Sequence, residues 1–206
     1  LADKIVKLYL ATSNPGKVRE YRVLGAGNPV EIETLPGFTE IAAFDESAPT
    51  FAQNSAGKAI HYSQFTDELL IADDSGLVVP SLGGAPGVHS ARYAGPRATD
   101  ADRVRKLLDE MRGKSGDERR ARFVCVLTLA REGSAMAVFS DSVEGVIATE
   151  PRGDGGFGYD PVFYFPKLGR TYAEISREEK NEYSHRGRAF RKLVQFLGTS
   201  NFRDFV

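Results

Sequence analysis

Asp73 and Asp74 stand side by side after the apolar run 69–72 and are followed by Ser75-Gly76. Neighbouring residues on a strand point to opposite faces, so one carboxylate can face a ligand while the other braces the backbone. Two carboxylates crowded at one site repel each other, and a divalent cation relieves that repulsion. One of them can instead take a proton from a water molecule. The plain alternative is an Asp-Ser-Gly turn closing a short strand.

Three further groups invite chemistry. Thr12, Ser13, Asn14, Pro15, Gly16 and Lys17 lie between a strand-like and a helix-like segment. Such a junction can offer backbone N–H groups and the positive end of a helix dipole to an anion, with Lys17 as an added point charge. The Gly-x4-Gly-Lys-Ser/Thr spacing of a Walker A loop is absent. An ordinary strand-to-helix turn explains the segment as well. Residues 153–158 read Gly-Asp-Gly-Gly-Phe-Gly, a literal G-x-G-x-x-G. A dinucleotide fingerprint must open a helix, but Pro161 and an aromatic, strand-like run follow here, which excludes it. Phe157 and Tyr159 suit stacking on a flat base, or plain core packing. Lys180, His185 and Arg186 are rich in hydrogen-bond donors. The only other histidines are His61 and His89, which leaves no histidine-rich metal site.

The elements needed to position these groups read as α/β. A strand at 8–11 leads into the Thr12–Lys17 junction and a helix with Val18, Tyr21, Val23 and Leu24 as its apolar positions. A second strand spans 30–35. Thr50-Phe-Ala-Gln53 has a capping-box pattern opening a helix that carries Lys58. A short buried strand, 69–72, ends in Asp73-Asp74-Ser75-Gly76. Thr99 caps a third helix with Val104, Leu107, Leu108 and Met111 on its apolar face. Residues 122–131 and 135–140 form a hairpin, 144–149 a separate strand, and 161–165 another. Ser176 caps a helix holding Lys180. Phe190, Leu193, Val194 and Leu197 mark a last amphipathic helix.

Composition narrows the classes. The 206 residues carry 27 basic and 28 acidic side chains, a net charge of −1, which argues against a nucleic-acid coat or a polybasic membrane binder. No apolar run approaches the roughly 18–20 residues that span a bilayer, and one cysteine, Cys125, excludes an intrachain disulfide framework. A single continuous domain, 1–206, in the cytoplasm is the expectation. The charge is unevenly spread: residues 31–76 carry nine acidic groups against Lys58 alone, whereas 1–30 and 167–206 are net basic. An acidic middle between basic ends suits a metal meeting a polyanion, or simply solvated surface.

Taken together, the segments resemble the Ham1/ITPase-type purine NTP pyrophosphatases, the dITP/XTP diphosphatases of bacteria. The resemblance rests on Thr12-Ser-Asn-Pro-Gly-Lys17, Ala72-Asp-Asp-Ser-Gly-Leu77, Leu82-Gly-Gly-Ala-Pro-Gly87, Ser90-Ala-Arg-Tyr-Ala-Gly95, Gly156-Phe-Gly-Tyr-Asp-Pro161, Glu178-Glu-Lys-Asn181 and Ser184-His-Arg-Gly187. It implies an elongated, two-lobed α/β fold, with a mixed central sheet flanked by helices and a nucleotide cleft between the lobes. It implies a homodimer that hydrolyses XTP, ITP and dITP to the monophosphate and pyrophosphate with Mg²⁺. By position, Asp74 is then the general base, Asp74 and Glu46 are the metal carboxylates, and Lys58 assists catalysis. Thr12 to Lys17, with Lys58 and Ser75, would hold the triphosphate. Phe157, Gly158, Tyr159 and Asp160, with Lys180, His185 and Arg186, would form the purine pocket. Many bacterial relatives have Glu where this chain has Gln53, so a carboxylate near Lys58 is lost while the capping box survives.

Overall fold

The computed structural model describes residues 5–199, so both ends of the expected 1–206 domain lie outside the described residues. In chain order the main elements are β1 (Val6–Leu10), α1 (Pro15–Gly25), β2 (Val30–Thr34), α2 (Phe51–Tyr62), β3 (Leu69–Val78), α3 (Asp100–Glu110), β4 (Arg120–Arg131), β5 (Ser134–Ile147), β6 (Phe163–Phe165), β7 (Arg170–Thr171), α4 (Arg177–Tyr183) and α5 (His185–Leu197). The strands join in one sheet of order β2-β1-β3-β4-β5-β6-β7. β1 is parallel to β2 and β3, whereas β6 is antiparallel to β5 and β7, so the sheet is mixed as expected.

The chain divides into two compact units and passes between them more than once. The first contains residues up to Asp74, Cys125–Asp141 and those from Arg186 onward; the second contains Ser75–Val124 and Ser142–His185. In the first, Leu8 and Leu10 of β1 pack with Tyr21 of α1, Ile71 of β3, Leu127 of β4, and Phe190 and Leu193 of α5. The i, i+3, i+7 spacing of Phe190, Leu193 and Leu197 turns one stripe of α5 into that core. In the second unit, Val104 and Leu107 of α3 pack with Met111, Phe123, Phe163 and Tyr172.

Two strand readings need correction. The carboxylate pair does not close a turn: β3 continues through Asp73-Asp74-Ser75-Gly76 to Val78. Leu77 and Val79 beyond the pair are buried, which keeps the backbone extended where residue types alone suggest a turn. Likewise residues 144–147 are no separate strand but the far part of β5. Gly145 lets β6 approach there, since a Cβ would lie 2.5 Å from Phe163 Cζ and 2.7 Å from the Tyr164 carbonyl oxygen. Residues 160–162 form a 3-10 turn, so only Phe163–Phe165 of the expected strand is extended.

Candidate active site

The first group sits where β1 hands over to α1. Pro15 takes the first helical position, and Asn14 caps the helix by accepting hydrogen bonds from Gly16 N (2.8 Å) and Lys17 N (3.2 Å). Thr12 Oγ1 accepts from Asn14 N at 3.2 Å. The first-turn donors expected to meet an anion are therefore taken up by Asn14. Lys17 is committed as well: its Nζ lies 2.8 Å from Asp73 Oδ1 and 3.3 Å from the Asp73 carbonyl oxygen.

Asp73 is fully buried and anchors a group of four charges. Its Oδ2 is 3.1 Å from Arg186 Nε, and the same guanidinium pairs with Glu20 of α1. Two cations and two anions balance. Burial alone would raise the Asp73 carboxyl, but Lys17, Arg186 and Lys58 outweigh it and hold the group well below the usual carboxylate range. Cys125 and Tyr21 border the cluster; burial, reinforced by Asp73, pushes the Cys125 thiol up to about 12 and raises the Tyr21 hydroxyl. Arg186 is thus 2% exposed and paired with both Asp73 and Glu20.

Asp74, on the opposite face of β3, has different neighbours. Its Oδ2 accepts a hydrogen bond from Asn54 Nδ2 at 3.1 Å. Burial raises its carboxyl above the ordinary value; Lys17, Lys58 and the Asn54 bond counter this, while Glu46 adds to it. Lys58 of α2 is buried and pairs with Glu46 Oε2 at 3.0 Å. The segment bearing Glu46 is seated on α2 at both sides. Phe44 packs over Gly57, where a Cβ would lie 2.3 Å from Phe44 Cζ. Beyond Glu46, Asn54 grips Ala48 twice, accepting from its N at 3.0 Å and donating to its O at 3.2 Å. Ser75 follows Asp74 on β3 and is half-buried.

Lys58, Glu46 and ionised Asp74 together carry one excess negative charge beside the balanced group of four. Such a site attracts a cation more readily than a bare polyanion. Two hard carboxylates match Mg²⁺, which commonly takes one or two carboxylates and completes its shell with water and substrate phosphate. Among the described residues, no three His, Cys, Asp or Glu side chains form a group able to hold a metal. Two carboxylates of this kind fit an ion that shares its shell with a phosphate substrate.

In the second unit, Phe157, Asp160 and Lys180 come together. Asp160 is buried, accepts from Phe157 N at 2.8 Å and forms an ion pair with Lys180. Lys180 Nζ lies 4.9 Å from the Phe157 ring centre, a cation–π arrangement. Gly156 makes room for this: its φ is +72° and a Cβ there would strike the Asp160 carboxylate. His185 stacks on Phe123, centroids 4.8 Å apart and planes 10° off parallel. Tyr159 takes the core alternative: it is 4% exposed, and its hydroxyl donates to the Ser90 carbonyl at 2.9 Å. Phe157 is half-buried and remains the ring for stacking. Three residues outside the motifs each hold one of these groups: Glu20 pairs with Arg186, Asn54 donates to Asp74, and Asp100 accepts from Gly158 N. Only Asn54 left a trace, as an amide inside a helix where such residues are unfavourable without a partner.

No helix among the described residues is long and apolar enough to cross a membrane. A model of the Ham1 family matches residues 8–196. A dITP/XTP pyrophosphatase of Geobacillus kaustophilus is 49% identical over 187 residues, 91% of this chain and 92% of its own. One of Thermus thermophilus is 50% identical over 190 residues, 92% of this chain and 91% of its own. The solved structure of a HAM1 protein from Coxiella burnetii superposes with a TM-score of 0.82 at 39% identity, covering 93% of this chain and 98% of that one. With its sequence matched almost end to end and its mixed sheet shared, this chain belongs to the Ham1 family.

Proposed function

We infer that this chain hydrolyses non-standard purine nucleoside triphosphates (XTP, ITP and dITP) to the monophosphate and pyrophosphate. The names of its close relatives support the reaction. The observation that carries the mechanism is Asp74: a buried carboxylate with a raised proton affinity, held by Asn54 beside the Glu46–Lys58 pair. Raised affinity makes it a better proton acceptor than a solvated aspartate. In the proposed step, Asp74 takes a proton from water as the water oxygen bonds to the α-phosphorus. The bond from that phosphorus to the α–β bridging oxygen breaks, and its electron pair leaves with pyrophosphate. Mg²⁺, which Asp74 and Glu46 would hold, supplies charge neutralisation for the triphosphate.

Lys17 and Lys58 would hold the triphosphate, each sharing its charge with the carboxylate it already pairs with, Asp73 or Glu46. Thr12, Ser13 and Ser75 complete that set of contacts in this reading. Phe157 offers a face to the base, with Lys180 and His185 as donors toward the six-keto oxygen of hypoxanthine or xanthine. Adenine presents an amino group there and would leave donors facing donors, a mismatch worth several powers of ten. Arg186 belongs to the same purine-pocket set in this reading, with its Nε held by Asp73. A homodimer working in the cytoplasm, where the nucleotide pool is used, completes the proposal.

The test is pyrophosphate release from XTP, ITP, dITP, GTP and ATP, with and without Mg²⁺. Release from the first three, dependent on Mg²⁺, is expected. Equal rates on ATP and ITP would remove the specificity, and no release from any would remove the enzyme.

A further inference from the structure

We propose that Asp100 and Arg103 brace the Phe157-Gly158 backbone, which makes Asp100 a positioning residue for base selection; this rests on the purine reading given above. Gly158 N donates to Asp100 Oδ2 at 2.7 Å, across 58 residues of sequence. The other oxygen of Asp100 pairs with Arg103. Arg103 in turn donates to the carbonyl oxygens of Ala91 (2.9 Å) and Ala98 (2.7 Å). Next in the loop, the Tyr159 hydroxyl donates to Ser90 O, while Ser90 Oγ accepts from Leu77 N at 2.9 Å and donates to Gly87 O at 2.7 Å. The glycine- and alanine-rich segment 87–98 is therefore the platform from which the loop 157–160 is hung, at two consecutive residues.

The plain reading of Asp100 is a helix-start carboxylate with an i, i+3 partner. It does not account for the geometry. Thr99 and Asp102 already form the capping box of α3, so Asp100 is not needed as a cap. Arg103 has a side chain only 17% exposed and ends on two carbonyls, unlike a solvated surface charge. The loop itself needs external fixing, because Gly156 and Gly158 adopt φ of +72° and +63° and have no side chain of their own to lock it. The consecutive N–H groups of Phe157 and Gly158 are instead each tied to a carboxylate, Asp160 and Asp100. Purines that share a six-keto group differ at the two position, so telling them apart depends on where the stacking loop lies; a small displacement is costly.

The test compares the full-length protein with Asp100→Ala and Asp100→Asn. Pyrophosphate release from dITP and dGTP gives kcat and KM, and calorimetry with dIMP gives base binding without turnover. For Asp100→Ala, KM for dITP and Kd for dIMP rise about tenfold, as for one lost charge-assisted hydrogen bond. The preference for dITP over dGTP falls by a similar factor, and kcat falls less. Asp100→Asn keeps an acceptor for Gly158 N and recovers most of the preference. Unchanged dIMP binding and preference in Asp100→Ala would overturn the proposal. So would equal losses in both variants that track melting temperature. Absence of turnover in the unaltered protein would refute the proposed function, while the dIMP arm would still decide the brace.

Discussion

Asp73→Asn keeps the shape of a fully buried side chain and removes one charge from a balanced group of four. Lys17 and Arg186 then share Glu20 as their remaining anion in that group. Removing one partner of a buried ion pair costs about 3–5 kcal/mol. The Lys17 side chain retains 12% exposure and can be hydrated in part, which favours the lower end. A loss of about 3 kcal/mol lowers the melting temperature of a chain this size by about 6–12 °C. Calorimetry gives that shift, and urea unfolding should show a lower midpoint at unchanged slope. The pH dependence has a definite sign. The folded carboxyl is depressed, so its stabilisation is fully present above the unfolded value, about 3.9, and is lost as pH falls through the lower folded value. The gap between variant and parent should stay level from neutral pH to about 5 and close in stronger acid. A shift under about 2 °C at neutral pH would refute the view that Asp73 is the anchor of this cluster.

Asp74→Asn should lower turnover by about 10³-fold without lowering the melting temperature. A raised carboxyl loses stability as pH rises through its folded value, and Asn removes that penalty; a marked drop in melting temperature would argue against it. Asn54→Ala releases both Ala48 and Asp74. It should raise the Mg²⁺ concentration for half-maximal activity about tenfold, read by metal titration. Gly156→Ala forces a side chain onto the Asp160 carboxylate at a positive φ. Nucleotide KM should rise about 10²-fold as the Lys180–Asp160–Phe157 arrangement shifts, and an unchanged KM would show that this arrangement does not meet the base.

The parts of the fold legible in the sequence are those written in short-range chemistry. Thr50, Thr99 and Ser176 each cap the helix expected of them, and the apolar spacing of α5 marks its buried stripe. The Asp73-Asp74 pair stood out by residue type, but its division of labour did not. Asp73 is satisfied by Arg186, 113 residues away, and no local pattern records such a partner. For the same reason Arg186 and Lys17 read as open cations in the sequence, whereas both are paired in the structure. Polar residues inside a strand resemble turns until their partners are known, so residue types alone end β3 early and divide β5. Tyr159 shows the converse: a ring in a glycine-rich loop has no local mark of whether its hydroxyl is buried.

Hydrolysis of dITP in ¹⁸O-labelled water tests the central claim most directly, that Asp74 directs water to the α-phosphorus. Mass spectrometry of the products should find the label in dIMP and none in pyrophosphate, with formation of both products lost in Asp74→Asn. Label in the pyrophosphate, or orthophosphate in its place, would contradict the account.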